Sequence, residues 1–154
     1  WFVSRSVLAW KRLIADVPEH LTVCLENVME PDASMLLDIV RQVNDARLRI
    51  CLDLGHANTS ASRASPGEWL RDCAPYLSHI HLHNNDGIHD LHAPLFEGAI
   101  EAARRALPGR KRNIGALFVP EIGRMARPAE SFGGLIHDRI GANITIEAFP
   151  DHGP

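Results

Sequence analysis

Polar and aliphatic residues alternate in four short runs of the chain, and each run leads to a carboxylate or an imidazole. The runs lie in "LTVCLEN", "LRICLDLGH", "LSHIHLHNN" and "NITIEAF", where these polar residues are Glu26, Asp53, His81 and Glu147. The first three fall at nearly constant intervals, which fits one strand plus one returning helix. Because the carboxyl ends of parallel strands meet at one mouth of a barrel, the pattern predicts that these side chains converge.

Strand periodicity gives each run one aliphatic face and one polar face. Val23 and Leu25, for example, lie opposite Cys24 and Glu26, since successive side chains point to opposite sides of a strand. In a barrel surrounded by helices, the aliphatic face packs outward and the polar face points into the lumen. The predicted lumen residues are Thr22, Cys24 and Glu26; Arg49, Cys51 and Asp53; His79, His81 and His83; and Asn143, Thr145 and Glu147.

Helical periodicity separates the predicted strands. It is seen from Val3 to about Ala15, in "MEPDASMLLDIVRQVND", in "SPGEWLRDCAPYL" and in "AIEAARRAL". The alternation predicts the α/β class, as a partial (β/α)8 TIM barrel of about four βα units with parallel strands and flanking helices. We expect residues 1–154 to form one half-barrel domain, with an insertion at about 108–142, where the pattern is least regular.

The length of the chain suits half of such a barrel. A complete barrel usually needs about 250 residues, whereas this chain has 154 and opens on Trp1 rather than a methionine. An open parallel sheet would expose strand edges. We therefore expect self-association, or a missing N-terminal half that completes the barrel.

Composition disfavours two classes of partner. The net charge is −3 and the pI about 6.3, with "GRKR" as the one short basic run, so the chain lacks the basic surface that nucleic acids require. No run approaches the roughly 20 apolar residues of a membrane span, so no membrane partner is expected. The three cysteines form no CxxC pair, which indicates reduced thiols in a cytoplasmic protein.

The residues at the strand ends favour a metal site. Three carboxylates and one imidazole suit one divalent ion, namely Mn²⁺, Mg²⁺, Co²⁺ or Zn²⁺. Each residue alone would be an ordinary polar strand end, but the shared parity and interval favour the metal. We expect His83 to contact substrate, His79 to be a hydrogen-bonded core histidine, and the inward cysteines to pack the lumen.

The motifs "CLENV", "CLDLGHA", "HIHLHNNDGIHDLHAPLFEGAI" and "ITIEAF" resemble the C-terminal half of the xylose-isomerase-like TIM barrels. This superfamily includes sugar and sugar phosphate isomerases and epimerases, together with the endonuclease IV class of apurinic-site nucleases (AP endonuclease family 2). The resemblance implies that Glu26, Asp53, His81 and Glu147 are metal ligands. It also implies that His56 contacts substrate in an epimerase or binds zinc in a nuclease. In a nuclease, Asp90 and His92 would be further zinc ligands.

Two departures from the family pattern concern the last third of the chain. Phe96 stands where the family usually has the first glycine of a Gly-x-Gly turn. The interval from His81 to Glu147 is longer than one βα unit, and Glu121 fits the usual interval better. Pro120, however, would remove a ladder hydrogen bond from a strand there. We retain Glu147 as the last ligand and Glu121 as the alternative.

The predicted function is that of a divalent-metal-dependent isomerase or epimerase acting on a sugar, sugar phosphate or polyol ketone through an enediolate. Glu26 and Glu147 would exchange the proton as base and acid. His56, His83 and Asn84 would position the hydroxyl groups of this carbohydrate substrate. The alternatives are an endonuclease IV-like zinc phosphodiesterase that uses His56, Asp90 and His92, and a catalytically silent half-barrel.

Overall fold

The structure is a computed structural model that describes residues 1–93 and 98–100 and the backbone of residues 145–148. The predicted insertion at about 108–142 lies outside the described residues. The same holds for Glu121, the alternative ligand, and for Phe96 at the departure from the glycine pattern. The expectation of one domain spanning 1–154 therefore stays a prediction.

Strands and helices alternate along the described chain. The first half contains α1 (Phe2–Ala15), β1 (Val23–Glu26) and α2 (Ser34–Val43). It is followed by β2 (Leu48–Asp53), α3 (Pro66–Cys73), β3 (Leu77–Leu82) and β4 (Thr145–Ala148). Two short 3₁₀ turns lie between β2 and β3 in the described chain: His56–Asn58 follows β2, and Ala74–Tyr76 precedes β3. None of the helices in the described part is both long and apolar enough to cross a lipid bilayer.

The four described strands form one parallel sheet in the order β1-β2-β3-β4. Each strand pairs with the next one along the chain, and helices form the connections from β1 to β2 and from β2 to β3. This arrangement confirms the predicted α/β class and partial barrel. Because all the strands run the same way, their carboxyl ends lie along one edge of the sheet.

The hydrophobic core lies between the aliphatic face of the sheet and the helices. Leu48, Ile50 and Leu52 of β2 are completely buried. Full burial of one such side chain contributes about 1.5–3 kcal/mol. The helices contribute apolar stripes at helical spacing, as expected when a helix covers a sheet. These stripes are formed by Leu36, Leu37, Ile39, Val40 and Val43 in α2 and by Trp69, Leu70 and Cys73 in α3.

A β-bulge in β3 shifts the predicted alternation. Leu77 pairs with Ile50 and His79 pairs with Cys51, so Ser78 is an extra residue in the ladder. Leu77 and Ile80 are both buried even though they are three positions apart. A bulge of this kind inserts one unpaired residue and redirects the side chains that follow it. The simple two-residue alternation therefore describes β3 only from His79 onward.

Local sequence explains where α3 begins. The side chain of Ser65 accepts a hydrogen bond from the backbone N–H of Glu68, and the carboxylate of Glu68 accepts one from the backbone N–H of Ser65. Pro66 occupies the first helical turn, where its missing N–H has no helical partner to lose. This capping box ends the loop after β2 and directs the chain back toward β3.

Candidate metal centre at the strand ends

The carboxyl ends of β1, β2 and β3 bring Glu26, Asp53 and His81 together. His81 Nδ1 lies 2.8 Å from Glu26 Oε1 and 3.7 Å from Asp53 Oδ2. Register explains this contact, because Asp53 and His81 are paired across β2 and β3 and Glu26 is paired with Cys51 on β2. We call these three residues the strand-end cluster. Their side chains converge, and their role as metal ligands stays a prediction.

His56 reaches the strand-end cluster from the 3₁₀ turn after β2. Its Nδ1 lies 4.0 Å from Glu26 Oε1 and 3.7 Å from Asp53 Oδ2, and it makes a 2.8 Å hydrogen bond with the carbonyl oxygen of Asn27. A carbonyl oxygen only accepts, so His56 Nδ1 carries the proton. The other nitrogen, Nε2, faces Asp90 Oδ2 at 3.2 Å. An imidazole nitrogen and a carboxylate oxygen in this position are both atoms that can coordinate a cation.

Asp53 is the most enclosed carboxylate of the site, with 1% of its side chain exposed. Burial acts to raise its pKa, but the hydrogen bond from His83 and the backbone N–H of His56 outweigh burial and hold the pKa below its ordinary value. His83 Nε2 lies 2.9 Å from Asp53 Oδ1, and His56 N lies 2.9 Å from the same oxygen. Asp53 is therefore held as a carboxylate, whose other oxygen faces His81.

The fully buried ring of His83 lies behind Asp53. Burial acts to lower its pKa, but the hydrogen bond to Asp53 and the charges of Asp53 and Asp90 raise it above the ordinary value. A side chain on Gly55 would collide with the His83 ring, so this position admits only glycine without rearrangement. We expected His83 to contact substrate. Its complete burial instead favours a role in orienting Asp53.

A second group of possible ligands is built largely from the loop after β3. His56, His83, Asp90 and His92 offer donor atoms that all lie within 4.8 Å of one another. Asp90 Oδ2 lies 3.2 Å from His56 Nε2 and 3.3 Å from His92 Nε2, and the rings of His83 and His92 stack at 3.9 Å. We call these four residues the loop cluster. The three zinc-ligand positions implied by the nuclease resemblance, His56, Asp90 and His92, are thus adjacent.

A buried asparagine that the sequence pattern does not predict joins the ends of β1 and β2. Asn27 donates its side-chain N–H to the carbonyl oxygen of Asp53 at 2.9 Å, and its side-chain oxygen accepts the backbone N–H of Asp53 at 2.7 Å. It is 1% exposed. These two bonds fix the distance between Glu26 and Asp53. The Glu-Asn pair in "CLENV" was the available signal, but sequence alone did not show what the amide would bind.

Asparagines also fasten the loops after β2 and β3. Asn85 donates to the carbonyl oxygen of Gly55 and accepts from the side chain of Asn58, each at 2.7 Å. Asn84 is fully buried, and its side-chain oxygen accepts the backbone N–H groups of Asn85 and Ile100. We expected Asn84 to position substrate hydroxyls. Its burial and backbone partners favour a structural role instead.

The fourth predicted ligand, Glu147, lies beside the cluster along the backbone. β4 pairs with β3 so that the Cα of Glu147 is opposite the Cα of His81. This register places Glu147 at the same level of the sheet as Asp53 and His81. Its assignment as a ligand and as a proton-transfer residue stays a prediction.

The strand-end cluster fits a divalent cation. Metal–ligand bonds of about 2.0–2.2 Å place neighbouring donor atoms roughly 3–3.5 Å apart. The separations of 2.8 Å and 3.7 Å around His81 Nδ1 therefore need only small adjustments. Two carboxylates and an imidazole are also ligands that hard and borderline divalent ions accept. Glu26, Asp53 and His81 could hold such an ion, and Glu26, Asp53 and His56 also offer donor atoms that all lie within 4.8 Å of one another.

Two known proteins resemble parts of this chain. An uncharacterized protein of Methanocaldococcus jannaschii is 38% identical over 65 residues, which cover 42% of this chain and 22% of that protein. A solved structure of a D-tagatose 3-epimerase-like protein is 29% identical, with a TM-score of 0.45, over 53% of this chain and 33% of the other. In both comparisons the match covers well under two-thirds of the other protein.

The family comparison covers much more of the chain. The family model described as xylose isomerase-like TIM barrel matches residues 5–135. That range includes most of α1, all of α2, α3 and β1 to β3, and every residue of the strand-end and loop clusters. The match agrees with the parallel sheet and with the placement of polar residues at its carboxyl edge. This chain therefore belongs to the xylose isomerase-like TIM barrel family.

Proposed function

We propose that the chain carries the metal-binding half of the active site of a sugar isomerase or epimerase. The observation that carries the proposal is that carboxylate oxygens of Glu26 and Asp53 lie 2.8 Å and 3.7 Å from the Nδ1 atom of His81. The family's fold is of the sugar isomerase and epimerase type. The substrate would be a sugar, sugar phosphate or polyol ketone.

The enclosed and the exposed residues of the site suit different roles. A divalent cation held by the strand-end cluster would supply a Lewis acid to the carbonyl and adjacent hydroxyl oxygens of the substrate. Asp53 is buried and held ionised, which suits a permanent ligand. The side chain of Glu26 is 35% exposed at the mouth of the lumen, where it can reach both the cation and the substrate.

Glu26 is the candidate general base. It would accept the proton from the carbon between the two substrate oxygens, and a positioned base of this kind typically contributes about 10²–10⁴-fold in rate. Glu147, whose backbone lies opposite His81, is the candidate for returning the proton. His56, whose side chain is 13% exposed, is the candidate for contact with a substrate hydroxyl.

Proton exchange with solvent tests this proposal directly. The chain, loaded with Mn²⁺, Mg²⁺, Co²⁺ or Zn²⁺, would be incubated with ketohexoses and ketose phosphates in deuterated water. Deuterium gain at the carbon beside the carbonyl would be followed by NMR. Glu26→Gln should reduce the exchange rate by about 10²–10⁴-fold. The exposed Glu19 offers a matched control, since Glu19→Gln removes the same charge away from the lumen.

Two results would contradict the proposal. Exchange at the wild-type rate in the Glu26→Gln variant would exclude Glu26 as the base. Failure of the chain to bind any of the four cations would exclude the metal-binding half-site, whereas metal binding without exchange would leave a half-barrel that does not catalyse the reaction by itself. Bound metal would be measured in each sample, so that loss of the cation is distinguished from loss of the base.

The loop cluster supports a second candidate function, that of a zinc phosphodiesterase. His56, Asp90 and His92 lie close enough together to ligate a further metal ion, which a one-metal isomerase would not require. Cleavage of abasic-site DNA by the zinc-loaded chain distinguishes the two functions, because a sugar isomerase would not cleave it. The net charge of −3 disfavours a DNA substrate. Absence of cleavage, together with no loss of bound zinc in a His92→Gln variant, would exclude this alternative.

A further inference from the structure

A third group of donor atoms lies in the lumen below the carboxylates. Cys51, His79 and His81 each offer a ligand atom, and these atoms all lie within 4.8 Å of one another. Register explains the grouping, since Cys51 is paired with His79 across β2 and β3 and His81 is two positions farther along β3. The function proposed above uses neither Cys51 nor His79.

We propose that Cys51, His79 and His81 form a binding site for a thiophilic divalent cation such as Zn²⁺ or Cd²⁺. One thiolate and two imidazoles are a donor set that such ions favour, whereas Mg²⁺ and Mn²⁺ favour oxygen ligands. Chemically, the site therefore differs from the carboxylate-rich strand-end cluster above it. Coordination would replace the proton of the Cys51 thiol, and that proton would be released to solvent.

The geometry around Cys51 holds the sulfur beside both rings. The backbone N–H of His81 donates a hydrogen bond to the Cys51 sulfur. The rings of His79 and His81 lie 5.1 Å apart at an interplanar angle of 90°. Tetrahedral coordination needs donor separations of roughly 3.4–3.8 Å. Rotation of the half-buried His79 side chain would bring its ring nitrogen to this separation from the Cys51 sulfur.

His81 belongs to both metal sites. Its Nδ1 atom faces Glu26 and Asp53, while the ring packs edge-on against His79. A cation in the deeper site would hold the ring of His81 and so change the affinity of the strand-end cluster for its own cation. The two sites are therefore coupled through one side chain.

Cadmium binding provides a readout that does not depend on activity. Titration of the chain with Cd²⁺ should give a near-ultraviolet thiolate-to-cadmium absorption band whose final intensity corresponds to one cadmium-bound thiolate per chain. Cys51→Ser should abolish this band, and His79→Gln should weaken cadmium binding at least about tenfold. Cys73 offers a matched control, because its thiol is buried in the hydrophobic core with α3. The Cys73→Ser variant should retain the band.

Further variants make the assignment specific. Cys24, on the neighbouring strand β1, is partly exposed and is the competing thiol. A cadmium band that survives in Cys51→Ser but is lost in Cys24→Ser would overturn the proposal. Wild-type cadmium affinity in a folded His79→Gln variant would also overturn it. Circular dichroism would verify folding. If Cys51→Ser does not fold, cadmium binding by the His79→Gln and Cys24→Ser variants still tests the proposal, because both residues are partly exposed.

The Glu26→Gln variant separates this proposal from the proposed enzymatic function. It removes the candidate base but leaves Cys51, His79 and His81 in place, so the cadmium band should persist while deuterium exchange is lost. Exchange without any cadmium band would overturn the deeper site alone. A cadmium band in a chain that binds no Mn²⁺ or Mg²⁺ would overturn the proposed enzymatic metal site alone.

Discussion

The strand-end cluster and the loop cluster are adjacent, but the protein holds them in different ways. Glu26, Asp53 and His81 stand on three paired strands, and Asn27 ties two of those strands together. Asp90 and His92 stand on a loop and are 38% and 45% exposed. The backbone of His92 also has φ +48°, a conformation that non-glycine residues adopt infrequently.

This difference indicates how each cluster would bind a cation. Ligands on paired strands are held in place before the metal arrives, so little ordering is needed on binding. The loop is held by the backbone pairing of Asn84 with Ala93 and by local turns around Asp86. We therefore expect tighter metal binding at the strand ends and weaker, more easily altered binding in the loop.

Gly55→Ala should have the largest effect, because it disturbs both clusters at once. The added Cβ would collide with the ring of His83, which lies between Asp53 and His92. We expect a loss of about 3 kcal/mol in the free energy of unfolding. Urea denaturation would measure it. Gly67→Ala is the control, because no atom lies within 4 Å of that added Cβ, and it should be neutral or slightly stabilising. Equal stability of the two variants would contradict the packing argument.

Asn27→Ala should mainly damage the strand-end cluster. It leaves the backbone N–H and C=O of Asp53 without their side-chain partners, at an expected cost of about 2 kcal/mol in unfolding free energy. Asn58→Ala is the matched change on the loop side, because it removes one partly buried bond to Asn85. Calorimetric titration with Mn²⁺ should show weaker binding for Asn27→Ala only. Similar weakening in both variants would mean that the two regions are not independently held.

His92→Gln should affect the loop cluster and spare the strand ends. We expect about a tenfold loss of affinity for a second zinc ion, with the first unchanged. Zinc content after dialysis and competition with a coloured chelator would measure both. Loss of the first zinc ion as well would show that the clusters form a single site.

Asp86→Asn should have the smallest effect. Hydrogen bonds from the backbone N–H and side chain of His89 and from the backbone N–H of Ile88 lower the pKa of Asp86 to about 2. A carboxyl with a depressed pKa stabilises the folded loop above its ordinary pKa, and this contribution is lost as the pH falls from about 4 to about 2. NMR titration of this carboxyl would verify the value. The exposed Asp86→Asn variant should change loop-cluster zinc affinity less than threefold; a larger change would show that this turn controls the cluster.

The sequence predicted the strand-end geometry because two periodicities agree there. Side-chain alternation gave the inward face, and equal intervals gave the level along the barrel axis, which together placed Glu26, Asp53 and His81. Neither periodicity applies to the loop residues, so their contacts could not be predicted in this way. Asp90 and His92 were identified through family resemblance, since no periodic rule states where a loop side chain will lie.

Hydrogen-bond partners explain the remaining differences. His83 and Asn84 fall at the mouth by position, which favoured substrate contact, yet both are completely buried. Their partners are Asp53 for His83 and the backbone near Ile100 for Asn84, and these are distant in sequence. Asn27 carries no comparable sequence signal, because an amide has no charge and no characteristic interval. Buried polar networks depend on tertiary neighbours, which sequence does not specify locally.

The extra residue in β3, Ser78, divides that strand into two parts whose side-chain alternation is set independently. Upstream of Ser78, Leu77 keeps its position against the core; downstream, the imidazoles keep theirs toward the lumen. Substitutions that repack the base of the strand can therefore accumulate without turning His79 and His81 outward. Deletion of Ser78 would impose one continuous alternation on the strand. Either Leu77 would then leave the core, or His79 and His81 would turn away from the lumen.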